Sequence, residues 1–307
     1  MRVAAVDLGT NTTRLLVADV DDGRVTEVHR ETRITRLGED VDARKRLLPL
    51  PIARVRNALS DYRRTLERLG AERTLAVATS AVRDAENGEA FLGEIEWSYG
   101  FATRLVSGDE EARLTRRGVE PQPGTLVLDI GGGSTELIVD DFHVSLEMGS
   151  VRYTERFVHT DPPRREELDA CGQSAHEVLA AHTGEHATNA IGVAGTVTTL
   201  AALDLGLERY DRERVHGHQL TRDDAAVQLE RLAALPLAAR REVPALDPER
   251  APVIVAGAVI LIAVLDTFSL DSIEVSERDI LDGIALAAAE LPEPVDGDAP
   301  PGAYTCC

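Results

Sequence analysis

The sequence predicts an α/β protein of two related lobes, each a mixed sheet flanked by helices. Three observations carry this. Glycine-bearing turns between short apolar, β-type runs occur around Gly9 and again around Gly131. The two stretches align residue by residue, so the chain contains an internal repeat. Elsewhere, strand-like runs alternate with longer segments of helical spacing. A chain of 307 residues suffices for two domains. The expected division is 1–118 for the first lobe, 119–290 for the second, and a disordered Pro/Gly/Asp tail over 291–307.

The first lobe opens on Val3–Asp19, in which Asp7 closes a strand, Gly9 begins a turn and Leu15-Leu16-Val17 returns. Glu27 to Gly38 adds a third strand. Pro51 opens a helix with Ile52, Val55, Leu59, Tyr62, Leu66 and Leu69 on one face, ended by Gly70. Leu75–Ala78 is a strand, and Thr79-Ser80 cap a helix that begins near Ala81. Asn87 to Gly100 reads as an amphipathic helix and Phe101–Val106 as a strand. Ser107 and Glu110 then form a capping box, in which Glu110 accepts from the Ser107 N–H. Glu111 has no such use. It lies in the first helical turn, where the dipole favours the ionised form. On the residues alone it is either an ordinary first-turn acid or a general base.

Gly118–Gly124 forms the inter-lobe linker. The second lobe opens on Leu126–Asp140. Asp129 corresponds to Asp7, Gly131 to Gly9, Ser134 to Thr12 and Thr135 to Thr13. One position breaks the match: Glu136 stands where the first copy has Arg14. Glycines leave backbone N–H groups open to an oxyanion, so each turn can cradle a phosphate. Asp129 and Glu136 flank the second cradle. Phosphate and carboxylate repel, and a divalent cation between them resolves the conflict. Further on, Phe142–Met148 continues the sheet, and Arg152 follows with an even choice between the cleft and the surface. Asp161-Pro162 starts a helix through His182. Ala190–Val193 is a strand with Gly195-Thr196 turning into the next helix, a second strand–loop–helix phosphate site. His216 and His218 read as loop residues before a helix capped by Thr221. Pro248–Phe268 is a buried helix, Ile273–Val275 a strand and Arg278–Glu290 the last helix.

Five motifs in order resemble the exopolyphosphatase/guanosine pentaphosphatase (Ppx/GppA) family, within the actin, Hsp70 and sugar kinase superfamily. They are Asp-Leu-Gly-Thr-Asn-Thr-Thr-Arg-Leu-Leu (7–16), Ala-Thr-Ser-Ala-Val-Arg-Asp-Ala-Glu-Asn (78–87), Ser-Gly-Asp-Glu-Glu-Ala-Arg-Leu (107–114), Asp-Ile-Gly-Gly-Gly-Ser-Thr-Glu (129–136) and Gly-Val-Ala-Gly-Thr-Val-Thr-Thr-Leu (192–200). The resemblance implies actin-like (ribonuclease H-like) lobes with phosphates held between them. It implies metal-dependent release of terminal phosphate from inorganic polyphosphate, with guanosine pentaphosphate as the substrate of related members. The second glutamate of the third motif is the family's base, which favours Glu111 over Glu110. Phosphate contacts are expected from Gly9, Thr10, Asn11, Thr12, Arg83, Gly131, Gly132, Gly133, Ser134, Thr135, Gly195 and Thr196. A Mg²⁺ or Mn²⁺ ion is expected on Asp129 and Glu136. A homodimer is the expected assembly. The chain resembles the short form without a helical extension, which implies a preference for short polyphosphate.

Composition narrows the alternatives. A formal charge of −20 argues against a general nucleic-acid binder. The single lysine, Lys45, lies outside any glycine loop, and no Gly-x-x-x-x-Gly-Lys occurs, so a P-loop NTPase is excluded. The longest apolar run, Ala251–Leu265, is shorter than the ~20 residues of a membrane span. No leader is read at the start, where Val3 already begins a strand. Three cysteines without a framework, with Cys306 and Cys307 in the tail, suit a reducing cytoplasm. A non-catalytic sensor of polyphosphate or nucleotide is the rival class. The acids Glu111, Asp129 and Glu136 weigh against it.

Overall fold

A computed structural model describes residues 1–182 and 187–292. Most of the expected tail, with Cys306 and Cys307, falls outside the described residues. The chain divides into two compact units, Met1–Gly118 together with the segment from Ile280, and Val119–Asp279. The second unit, expected over 119–290, ends at Asp279 instead, because helix Ile280–Ala289 lies on the first unit's sheet.

The first unit holds β1 (Arg2–Leu8), β2 (Thr12–Asp21), β3 (Arg24–Ile34), β4 (Arg73–Ala78) and β5 (Ala102–Leu105). Their order is β3-β2-β1-β4-β5. The first three strands form an antiparallel meander, and β4 and β5 run parallel to β1. Side chains alternate across a strand, so β1 feeds two cores. Ala4, Val6 and Leu8 join Val55, Leu59 and Tyr62 of helix Pro49–Leu69 and Phe91 and Ile95 of helix Gly88–Tyr99. Val3 and Ala5 join Leu16, Val77 and the Ile280–Ala289 helix through Ile280, Leu281 and Ile284. Without that helix the second face would be bare apolar surface. Polar ties fix it there: Arg30 donates to Asp282 over 3.1 Å and Arg73 to the Ala289 carbonyl over 2.7 Å. Gly283 allows close helix approach, since a Cβ there would stand 1.9 Å from the Leu114 carbonyl oxygen.

The second unit holds β6 (Thr125–Ile130), β7 (Thr135–Val139), β8 (Phe142–Leu146), β9 (Asn189–Val193), β10 (Gln219–Thr221) and β11 (Ser272–Val275). The order is β10-β11-β9-β6-β7-β8. It opens with the same antiparallel meander, and β9 lies parallel to β6 as β4 does to β1. Leu126, Leu128 and Ile130 enter one large core with helices Arg165–Leu179, Ala194–Asp204, Arg222–Ala233 and Ile254–Phe268. Thr221 caps its helix as expected, accepting from the Asp224 N–H. The helix expected to start at Asp161-Pro162 begins instead at Arg165. There Glu167 returns to the Arg164 N–H over 2.9 Å and closes a capping box.

Candidate active site

Both hairpins close in the same way. The Gly9 N–H donates to the Thr12 carbonyl and the Gly131 N–H to the Ser134 carbonyl, each over 3.0 Å. A Cβ at either glycine would meet that same carbonyl oxygen at 3.1 Å. These two amides therefore hold the turn together.

What aims the remaining amides is the next layer. The Gly131 carbonyl accepts from the Ser150 N–H over 2.9 Å, and the Gly132 carbonyl from the Val151 and Arg152 N–H groups over 2.8 and 3.1 Å. Arg152 Nε donates to the Gly133 carbonyl over 2.7 Å. In a trans peptide, N–H and C=O point in opposite directions. The amides of Gly132, Gly133 and Ser134 consequently point away from helix Ser150–Phe157, as a concave donor set suited to an oxyanion. Gly149 lets that helix approach, because a Cβ there would lie 2.4 Å from the Gly132 oxygen. Arg152 is buried and serves as a clamp under the loop. In the first unit, the Thr10 carbonyl accepts from Gly38 N–H over 2.8 Å, and the Asn11 carbonyl from Thr35 and Arg36 N–H over 3.0 and 2.9 Å. The Asn11 and Thr12 amides are turned outward by the same logic. The Thr10 and Ser80 hydroxyls pair at 2.8 Å. The Thr135 hydroxyl donates to the Met148 carbonyl and so holds the hairpin.

The rims differ. Asp7 and Arg14 are paired across β1 and β2, with Arg14 Nε and Nη2 each 2.8 Å from Asp7 Oδ2. Asp129 and Glu136 are paired at the same register across β6 and β7, and both are buried. Directly opposed like charges are unfavourable in a sheet, and side chains so paired stand about 5 Å apart at Cβ. Glu136 Oε1 accepts from the Ser145 hydroxyl over 2.7 Å. Among the described residues no group of three or more His, Cys, Asp and Glu could hold a metal. Asp129 and Glu136 are the oxygen donors that would hold a Mg²⁺-type ion. The donor set fits that ion and does not fit a dedicated four-ligand zinc cage.

Glu110 and Glu111 separate as their positions predict. Glu110 accepts from the Ser107 N–H over 2.9 Å and the hydroxyl over 3.0 Å. Those bonds, the backbone one first, hold its carboxyl below the ordinary glutamate range. Glu111 is 8 % exposed and turns inward. Arg83 Nη1 reaches Glu111 Oε2 at 3.4 Å and the Val106 carbonyl at 2.9 Å. Arg83, expected on phosphate, thus also touches the expected base. At the third turn, Ala194 adopts φ 62° and helix Ala194–Asp204 places Gly195 and Thr196 in its first turn. Arg250 was not singled out by sequence. Its Nη1 fills the space beside Gly195, where a Cβ would lie 1.1 Å from it. The signal was the glycine itself, whose missing side chain makes room for a guanidinium. His216 Nδ1 accepts from the Glu277 N–H and His218 Nε2 lies 2.7 Å from Asp204, so each histidine has a local partner.

Comparison with known proteins bears on the family and the fold. The Ppx/GppA phosphatase family matches residues 16–290. A curated relative from Mycobacterium tuberculosis, exopolyphosphatase 2, is 40% identical over 94% of this chain and 98% of its own. The crystal structure of the Aquifex aeolicus Ppx/GppA family member is 30% identical, covers 94% of this chain and 98% of that one, and has a TM-score of 0.80. An exopolyphosphatase structure from Cytophaga hutchinsonii is 25% identical, over 96% and 100%, with a TM-score of 0.86. The chain belongs to the Ppx/GppA phosphatase family.

Proposed function

We propose that this chain is an exopolyphosphatase that hydrolyses the terminal phosphoanhydride bond of inorganic polyphosphate. One observation carries the reading: three outward amides in the Gly131–Ser134 loop, with the buried, opposed Asp129 and Glu136 on its rim. Its relative in Mycobacterium tuberculosis is an exopolyphosphatase by name. Positioning and charge neutralisation supply most of the catalysis in phosphoryl transfer. The Gly132, Gly133 and Ser134 amides would hold phosphate oxygens, and the Asn11 and Thr12 amides would hold others. Thr196, at the helix start, and the neighbouring Arg250 offer a hydroxyl and a positive charge to the chain. Glu111 would orient the attacking water and take its proton as the new P–O bond forms and the bridging oxygen leaves. Arg83 would keep the Glu111 carboxylate in place. A Mg²⁺ or Mn²⁺ ion on Asp129 and Glu136 would offset charge gathering on the phosphates.

The test is release of orthophosphate from polyphosphate with Mg²⁺, and its loss with chelator. No release at any length would sink the reading in favour of the non-catalytic sensor. Guanosine pentaphosphate is the second substrate to assay, because the same amides can hold its phosphates. The charge of −20 supports a preference for short polymer, since chain beyond the site meets an acidic protein. A KM that stops falling once the polymer exceeds a few phosphates is the expected result. We carry over a homodimer from the family resemblance, checked by light scattering, and a cytoplasmic location from cysteine usage.

A further inference from the structure

Ser145 stands on β8 directly opposite Glu136 of β7. Its hydroxyl donates to Glu136 Oε1 over 2.7 Å. The row continues to Asp129 on β6, so serine, glutamate and aspartate are cross-strand neighbours in that order. Residues opposed in this way project to one face of a sheet. The repeat supplies a comparison. At the aligned row of the first unit, Thr32 of β3 stands opposite Arg14, and Arg14 opposite Asp7. There the aspartate accepts from a guanidinium, which brings a positive charge. In the second row the buried glutamate accepts from a hydroxyl, which fixes an oxygen and adds no charge of its own. Ser145 also belongs to the stretch that shapes the glycine loop. Further along it, the Met148 carbonyl accepts from the Thr135 hydroxyl. Ser150, Val151 and Arg152 then hold the Gly131 and Gly132 carbonyls from behind. One stretch of chain, 145–152, therefore registers both the amides of the loop and one carboxylate oxygen on its rim. A glutamate side chain has several rotatable bonds, and fixing them before an ion arrives removes an ordering cost from binding.

We propose that Ser145 is a positioning residue for cation binding at the second hairpin: its hydrogen bond holds the Glu136 carboxylate in the orientation that takes a Mg²⁺-type ion. The proposal rests on the reading of Asp129 and Glu136 as the residues that hold that ion. A partner that hydrogen-bonds a metal-binding carboxylate from outside raises affinity by fixing its orientation. Thr32, at the aligned position, stands opposite an arginine and has no such part.

The experiment titrates Mn²⁺ alone into the full chain and reads the free ion by electron paramagnetic resonance, with no phosphate compound and no turnover. Ser145→Ala should raise the Mn²⁺ dissociation constant by about tenfold, whereas Ser145→Thr keeps the hydroxyl and should stay within about threefold of the unsubstituted protein. Thr32→Ala should leave the constant unchanged. Thermal melts of all three report the fold, and a merely structural serine would move the melt and not the Mn²⁺ constant. An unchanged constant in Ser145→Ala, or an equal rise in Ser145→Ala and Ser145→Thr, would overturn the positioning role. Glu136→Gln separates that failure from failure of the reading beneath it. Weakened Mn²⁺ binding in Glu136→Gln with full binding in Ser145→Ala removes Ser145 alone. Full binding in both removes Glu136 from the ion's site and the proposal with it. Release of phosphate from polyphosphate is measured separately, so failure of the exopolyphosphatase reading gives a different result again.

Discussion

The two hairpins share a backbone hydrogen-bond pattern and carry opposite charges at one aligned position, Arg14 and Glu136. Each places an aspartate at the end of a strand, closes on a glycine amide and has its loop carbonyls pinned from behind. In the first, Arg14 answers Asp7, and the rim is internally neutral. In the second, Glu136 stands opposite Asp129, and the rim carries two buried acids. The same fold thus gives one hairpin whose aspartate faces an arginine across the sheet and one whose aspartate faces a second acid. The difference teaches that a repeated hairpin can keep its backbone pattern while the charge facing its aspartate is reversed.

The sharpest break of this comparison is to give the second rim the first rim's chemistry. Glu136→Arg should pair with Asp129 and abolish metal-dependent phosphate release, by at least ~10³-fold in kcat/KM, because several kcal/mol of charge stabilisation depend on the ion. Circular dichroism should report a folded protein. Substantial residual activity would remove the rim from the mechanism.

The base assignment comes next. Glu111→Gln should lower kcat by ~10²–10⁴-fold, the usual range for a lost general base. Glu110→Gln should keep its rate within about twofold and cost only part of a cap, ~0.5 kcal/mol on an exposed site. The opposite pattern in a steady-state assay would exchange the two roles.

Stability should change with opposite sign at the two rims. Arg14→Ala strips the positive partner from a buried aspartate and should cost ~3 kcal/mol, as breaking a buried pair does. Glu136→Gln removes one of two opposed carboxylates, and in chelator it should be neutral or stabilising by up to ~1 kcal/mol. Denaturant melts of both variants without metal decide it. Destabilisation of equal size at both would mean that the second rim is already compensated within the protein.

The smallest expected effect is on metal dependence. Asp129→Asn should raise the Mg²⁺ concentration for half-maximal rate by ~10-fold, a common cost of weakening a metal site. Asp7→Asn should leave that midpoint unchanged, because its side chain already serves Arg14. A shifted midpoint for Asp7→Asn alone would reverse the specialisation inferred for the two hairpins.

Sequence by itself determined what is local or repeated. Strand, turn and returning strand are adjacent in the chain, so their register could be read from glycine placement and alternation. The alignment of Asp7 with Asp129 and of Arg14 with Glu136 reappears as identical cross-strand pairing. The Ser107–Glu110 box was legible because a capping box spans one helical turn. Tertiary structure decided what depends on residues distant in the chain. Only the fold shows that Gly149 and Arg152 aim the Gly131–Ser134 amides, that Arg83 touches Glu111, or that Arg250 fills the space beside Gly195. Only the fold moves Ile280–Ala289 into the first unit, since its apolar face matches a sheet formed by the other end of the chain. Periodicity and turn chemistry act over a few residues and announce an element. The partner that element meets is chosen by burial and by hydrogen-bond satisfaction across the folded chain, which no local pattern encodes.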